Sequence, residues 1–128
     1  EILAGVLPVL DYLKGNEQLI ALGSGSKNAR PILEKTGILS YFDAIVDGND
    51  VSNAKPDPEV FLIAAQQLNT SPNDAIVFED SVAGIQAANI ANMTSIGIGD
   101  ATVLHEAQHN FKDFTFIGTS FLNELVEK

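Results

Sequence analysis

The 128-residue chain contains no cysteine, which excludes a disulfide framework and thiol chemistry. It is also poor in cations: seven Lys and Arg stand against seventeen Asp and Glu, a net charge of −10. Nucleic-acid affinity comes largely from clustered Lys and Arg, so this balance argues against a phosphate-backbone partner and equally against an anionic membrane surface. No apolar run approaches the length needed to cross a bilayer. The opening "EILAGVLPVL" has no basic region before its apolar residues and does not read as a signal peptide. Nothing points away from the cytoplasm. No tract is Pro-rich, Ser-rich or repetitive. What is present is a 45% apolar composition. It suits one compact domain, which at this length buries roughly 70% of the surface its unfolded chain exposes.

Apolar runs of strand length alternate with helical periodicity. In "LPVLDYLKG", Leu7, Leu10 and Leu13 lie at helical spacing and Gly15 stops the run. "QLIALGS" predicts a buried strand, and "KNARPILEKTG" a helix with Pro31 in its first turns and Gly37 closing it. "DAIVDGND" predicts a short strand ending in turn residues. "DPEVFLIAAQQLN" is the clearest helix, with Val60, Phe61, Ala64, Ala65 and Leu68 on one face. "AIVFE" predicts a strand, "SVAGIQAANIAN" a helix with a small-residue face, and "TSIGIG" a strand. A short helix over "ATVLHEAQH", a strand over "FTFIG" and a closing helix over "SFLNELVEK" with Ser120 as N-cap complete the pattern. Such alternation implies an α/β fold, a parallel sheet covered on both faces. Ligands of open sheets of this kind sit at the carboxyl ends of the strands. The segments to weigh are therefore "GSGSKN", "DGND", "ED" and, just before the longest helix, "NAKPDP".

Glu79 and Asp80 end the apolar run of "AIVFEDSVAG". Two adjacent carboxylates at the end of a buried strand repel each other and cost desolvation. Solvent, a helix N-terminus or a divalent cation would neutralise them. In "GSGSKNAR", Gly23 and Gly25 free the backbone and Ser24, Ser26 and Asn28 offer short polar groups. With the N–H groups of the following helix they make an anion site suited to phosphate, and Lys27 and Arg30 add charge. The competing reading is an ordinary strand–helix turn with Ser26 as the N-cap. The Walker spacing is absent. In "NAKPDPEVF", Pro56 pushes Lys55 out of the α region, into an extended conformation from which it can reach across the strand ends. A surface Lys in a turn is the alternative. "DGND", with Asp47 and Asp50, reads as a plain turn. "HEAQH" matches the H-E-x-x-H of zinc proteases, with Glu124 as a conceivable third ligand. On a short amphipathic helix late in an α/β chain, a solvated surface face is the better reading.

Taken in order, a strand ending in Ser ("ALGSGS"), a Lys-Pro ("AKPDP") and a strand ending in an acidic pair ("VFEDSVAGIQAA") resemble the haloacid dehalogenase-like phosphotransferase superfamily. The resemblance runs from about Ile2 to the end of the chain. "SGSKNARPILEKTGI", "YFDAIVDGNDV", "AKPDPEVFLIAA" and "FEDSVAGIQAA" look like the β-phosphoglucomutase family within it, and "SKN" is the most discriminating piece. The resemblance implies a Rossmann-like three-layer α/β/α core with a mainly parallel sheet, residues 1–128 forming a single partial core domain. It implies phosphoryl transfer through an aspartyl-phosphate and a bisphosphate, interconverting β-D-glucose 1-phosphate and glucose 6-phosphate with Mg2+. Such chemistry is mostly positioning and charge neutralisation. By carry-over, Ser24 hydrogen-bonds the transferring phosphoryl and Lys55 neutralises it. Gly25, Ser26, Lys27 and Asn28 join them in holding the phosphorylated sugar. Asp80, helped by Glu79, holds the hard cation through oxygen.

The superfamily's Asp-x-Asp, which ends its first and central strand, is absent, and so is the small helical cap that follows it. The chain is therefore expected to be the C-terminal part of a longer protein, inactive alone. The missing strand would lie between the strands ending at Ser24 and Glu79. A gap there would leave unpaired backbone groups, so an N-terminal segment or a second copy is expected to complete the sheet, or the sheet to close up. A sugar-phosphate phosphatase of the same superfamily is the main alternative, and a non-catalytic binding remnant another. A signalling receiver domain needs its acidic pair after the first strand and its Lys after the last, the reverse of the order here.

Overall fold

The computed structural model describes residues 5–126. Helix α1 (Val6–Gly15) leads into β1 (Ala21–Gly23), α2 (Ala29–Thr36), β2 (Ala44–Val46), α3 (Glu59–Gln67), β3 (Ile76–Glu79) and α4 (Val82–Ile90). Then come β4 (Thr94–Ile98), β5 (His109–Phe111) and α5 (Thr119–Val126). All pairings are parallel, as expected, but the strands form two sheets, β1–β2 and β3–β4–β5. One edge of β1 and one edge of β3 therefore lack a partner among the described residues. A cleft of about 1010 Å³ separates them, walled by Leu22 and Gly23 on one side and Val77 and Phe78 on the other.

The gap lies between the strands ending at Ser24 and Glu79, where the sequence places it. The alternative that the sheet closes up does not hold. One apolar cluster joins Val46 of β2, Val77 of β3, Val60 and Ala64 of α3, and Ala87 and Ala88 of α4. The α3–α4 layer thus spans both half-sheets and holds them at their spacing. On the opposite face, Val9 of α1 and Leu122 of α5 pack with Ile96 and Ile98 of β4. The three-layer α/β/α arrangement follows from these two apolar seams. The small residues of α4 serve close packing, Ala87 and Ala88 being fully buried. Buried Ser95 donates to Asn89 Oδ1 at 2.7 Å and accepts from the Gln108 N–H at 3.2 Å, so its hydroxyl is satisfied inside the core. Among the described residues, no helix is long and apolar enough to cross a membrane.

The segment after β4 departs from the expected pattern. Residues 101–108 form turns, not a helix, and the last strand begins at His109, so "FTFIG" is not a strand. Local side-chain bonds compete with the ladder here. Asp100 accepts from the Thr102 N–H at 2.9 Å and from its hydroxyl at 2.7 Å. Asp113 likewise accepts from the Thr115 N–H at 2.8 Å and opens a 3₁₀ turn at Phe114–Phe116. Helix α5 begins at Thr119, which puts Ser120 inside its first turn and not at the cap.

Asp43 ties α1 to the smaller sheet: its carboxylate accepts from the Ile20 N–H at 2.8 Å and from Lys14 Nζ at 3.1 Å. The Ile20 amide first, and then Lys14, hold its carboxyl below the ordinary value of 3.8. A depressed carboxyl stabilises the fold fully above its unfolded value, and that contribution is lost as pH falls through the lower folded value. Urea unfolding across the acid range should therefore show less loss of stability below about pH 4 in Asp43→Asn than in wild type. Identical acid slopes would contradict the tie.

Candidate active site

Lys55 bridges the ends of the two half-sheets. Its Nζ donates to Glu79 Oε2 at 2.7 Å, lies 3.4 Å from the Gly23 carbonyl oxygen, and sits 5.0 Å from the centroid of the Phe61 ring. The Lys55 and Glu79 side chains are only 19% and 10% exposed, so solvent screens this pair weakly. The other Glu79 oxygen, Oε1, accepts from the Asp80 N–H at 3.0 Å and the Ser81 hydroxyl at 3.3 Å. Ser81 in turn caps α4 by accepting from the Gly84 N–H at 3.0 Å. The two adjacent acids thus have different surroundings: Lys55 neutralises Glu79, while Asp80 is exposed at the cleft mouth.

The loop after β1 folds upon itself. The Ser24 N–H donates to the Val46 carbonyl at 2.8 Å, Ser24 Oγ accepts from the Ser26 N–H at 3.1 Å, and Ser26 Oγ accepts from the Asn28 N–H at 3.0 Å. Ser26 is not the N-cap: α2 starts after Asn28, whose side chain makes no capping bond. Ser24, Gly25, Lys55, Glu79 and Asp80 line one cleft, whereas Ser26, Lys27 and Asn28 are exposed beside it and do not line it.

Arg30 does not add charge to an anion site. Its Nη1 donates to Asp47 Oδ2 at 2.6 Å and its Nη2 to the Ile45 carbonyl at 2.8 Å. The "DGND" segment is a turn, as expected, but it contains a carboxylate only 3% exposed, Asp47. Gly48 completes the link: its N–H donates to the Ser26 carbonyl at 3.0 Å, and a Cβ there would collide with the Gly25 carbonyl. Gly48 thus pins the loop after β1 to the loop after β2, and the Arg30–Asp47 pair ties the latter to the first turn of α2. Asp47 closing an apolar run was the available signal for this clamp. Its partner, seventeen residues earlier, was not.

The "HEAQH" residues sit on turns and on β5, with His105 and His109 exposed and the His109 ring edge-on to Phe121 at 5.1 Å. Among the described residues no three His, Asp or Glu side chains are grouped to hold a metal. Glu79 and Asp80 offer the oxygen donors a hard cation needs, but with Glu79 engaged by Lys55 they fit it only as part of a coordination shell, with Asp80 as the free ligand.

A model of the haloacid dehalogenase-like hydrolase family matches residues 1–98. The chain belongs to this family. It is 41% identical over 99 residues to β-phosphoglucomutase of Bacillus subtilis (strain 168), covering 77% of this chain and 44% of that protein. It is 38% identical over 96 residues to the fructose-1-phosphate phosphatase of Escherichia coli (strain K12), covering 72% and 51%. A crystal structure of β-phosphoglucomutase from Clostridium difficile superposes with a TM-score of 0.93 at 38% identity, over 98% of this chain and 56% of that one. The chain spans about half the length of the curated relatives it matches.

Within this haloacid dehalogenase-like core, Arg30→Met should leave buried Asp47 without its charged partner. A cost of about 1–3 kcal/mol is expected, read as a lower midpoint in urea, with faster hydrogen exchange at the Gly48 amide. Unaltered stability and exchange would show that the clamp does not hold the loops.

Proposed function

We propose that this chain carries the hydroxyl, the cation and the acidic parts of a phosphotransfer site for phosphorylated sugars. In the intact protein the reaction is of the β-phosphoglucomutase type, interconverting β-D-glucose 1-phosphate and glucose 6-phosphate through an aspartyl-phosphate and a bisphosphate. The observation that carries this reading is the meeting of Ser24, Lys55 and Asp80 on one cleft at the ends of β1 and β3. The Ser24 oxygen accepts from Ser26, which leaves its own proton free to donate to a phosphoryl oxygen. Lys55 has three N–H donors, and Glu79 and the Gly23 carbonyl engage at most two of them. The third can point into the cleft and neutralise transferring charge. Asp80, with Glu79 behind it, would hold Mg2+, which when bound supplies further positive charge to the phosphoryl group. Gly25, Ser26, Lys27 and Asn28 would contact the remainder of the substrate from the rim.

The nucleophilic and acid/base Asp residues would come from a segment that enters the cleft as a strand between β1 and β3. The facing unpaired edges and apolar walls support this, as does the length of the relatives. A further part of the same protein, or a second copy, fills that role, and this chain alone is inactive. A cytoplasmic setting belongs to the same reading. A second reading, hydrolysis of the sugar phosphate, is favoured by the similarity to the fructose-1-phosphate phosphatase.

The test is to incubate the intact protein with Mg2+, β-D-glucose 1-phosphate and a trace of the bisphosphate, which supplies the phosphoryl group that charges the protein for the first turnover. Glucose 6-phosphate without net release of inorganic phosphate supports the mutase, and stoichiometric phosphate release supports the hydrolase. Absence of both overturns the phosphotransfer reading. Lys55→Ala is expected to lower turnover roughly 10²–10³-fold. Near-wild-type turnover in that variant would remove Lys55 from the site.

A further inference from the structure

Gly84 lies in the first turn of α4 and is buried. Glycine is the poorest helix former after proline, so its presence there calls for a reason. Backbone conformation does not supply one, because Gly84 is not among the glycines with positive φ. The space around it does. A Cβ built on Gly84 would overlap Cγ, Cδ and Oε2 of Glu79, and no other atoms lie as near. The Glu79 carboxylate occupies the volume that any side chain at position 84 would fill.

We propose that Gly84 is a positioning residue for Lys55, acting through Glu79. Its missing side chain lets the Glu79 carboxylate lie against the first turn of α4, where the helix N-terminus favours negative charge. From there Oε2 holds Lys55 Nζ at 2.7 Å while Oε1 takes the Asp80 N–H and the Ser81 hydroxyl. The Gly84 N–H also donates to Ser81 Oγ, so one residue both completes the cap and clears the space. With alanine at 84, the free end of Glu79 must swing away. The helix gains a better helix former, but Lys55 loses its anchor. This deepens the phosphotransfer reading and rests on it for the purpose of aiming Lys55, not for the contact itself.

The experiment compares rates of lysine acetylation in the intact protein by peptide mass spectrometry, with the exposed Lys27 and Lys35 as internal references. Gly84→Ala should raise the rate at Lys55 several-fold relative to the references, measured well below the melting temperature of each variant. Glu79→Ala should raise it by a similar factor, and the double variant should add nothing further. Three outcomes overturn the proposal: Lys55 staying slow in either single variant, the two effects adding in the double variant, or all lysines speeding together. None of these readouts depends on turnover. Their failure would leave the phosphotransfer reading standing, and failure of sugar-phosphate turnover would leave the Gly84 contact standing.

Discussion

The interaction on which the rest of the site depends is the ion pair between Lys55 and Glu79. Among the described residues, it is a polar bridge between two half-sheets whose strands do not hydrogen-bond to one another. Lys55 comes from the loop before α3 and Glu79 from the end of β3, so the pair joins the β1–β2 half to the β3–β4–β5 half. A lysine and a glutamate this shielded tolerate each other's removal poorly, because either one alone is a charge held away from water. The pair also divides the labour between adjacent acids. Glu79 is occupied within the protein, and Asp80 is left facing solvent.

The scaffold supports this bridge with rigid elements. Helices α3 and α4 place Val60, Ala64, Ala87 and Ala88 beneath both half-sheets, and Ser81 caps α4 beside the Glu79 carboxylate. On the other side of the cleft, the Gly48 N–H holds the Ser26 carbonyl of the loop that carries Ser24, and Arg30 of α2 holds the neighbouring Asp47. Side chains fixed in this way hold a site better than free loops do. The separation of the half-sheets leaves the apolar cleft into which the proposed strand enters.

Much of this was legible in the chain. Strand runs and helical faces from Leu7 to Ile98 follow periods set by local geometry, which a sequence displays directly. The Ser, the Lys-Pro and the acidic pair stand at strand ends and helix starts, where an α/β sheet binds ligands. The last third was less legible, because Asp100–Thr102 and Asp113–Thr115 satisfy their backbone through local side-chain bonds that hydrophobic periodicity does not display. Long-range pairing was not legible either. Nothing near Arg30 announces Asp47, and nothing in "EDSVAG" shows that Gly84 makes room for Glu79. Two adjacent acids look equivalent in sequence, yet successive side chains leave a strand on opposite sides and meet different neighbours.

The most direct test is a crystal structure of the intact protein grown with Mg2+ and inorganic phosphate. The result expected is phosphate within hydrogen-bonding distance of Ser24 Oγ and Lys55 Nζ, with Mg2+ on Asp80 and Lys55 still paired to Glu79. Phosphate held only at the Ser26–Asn28 rim, or a metal bound through Glu79 with Lys55 displaced, would contradict it.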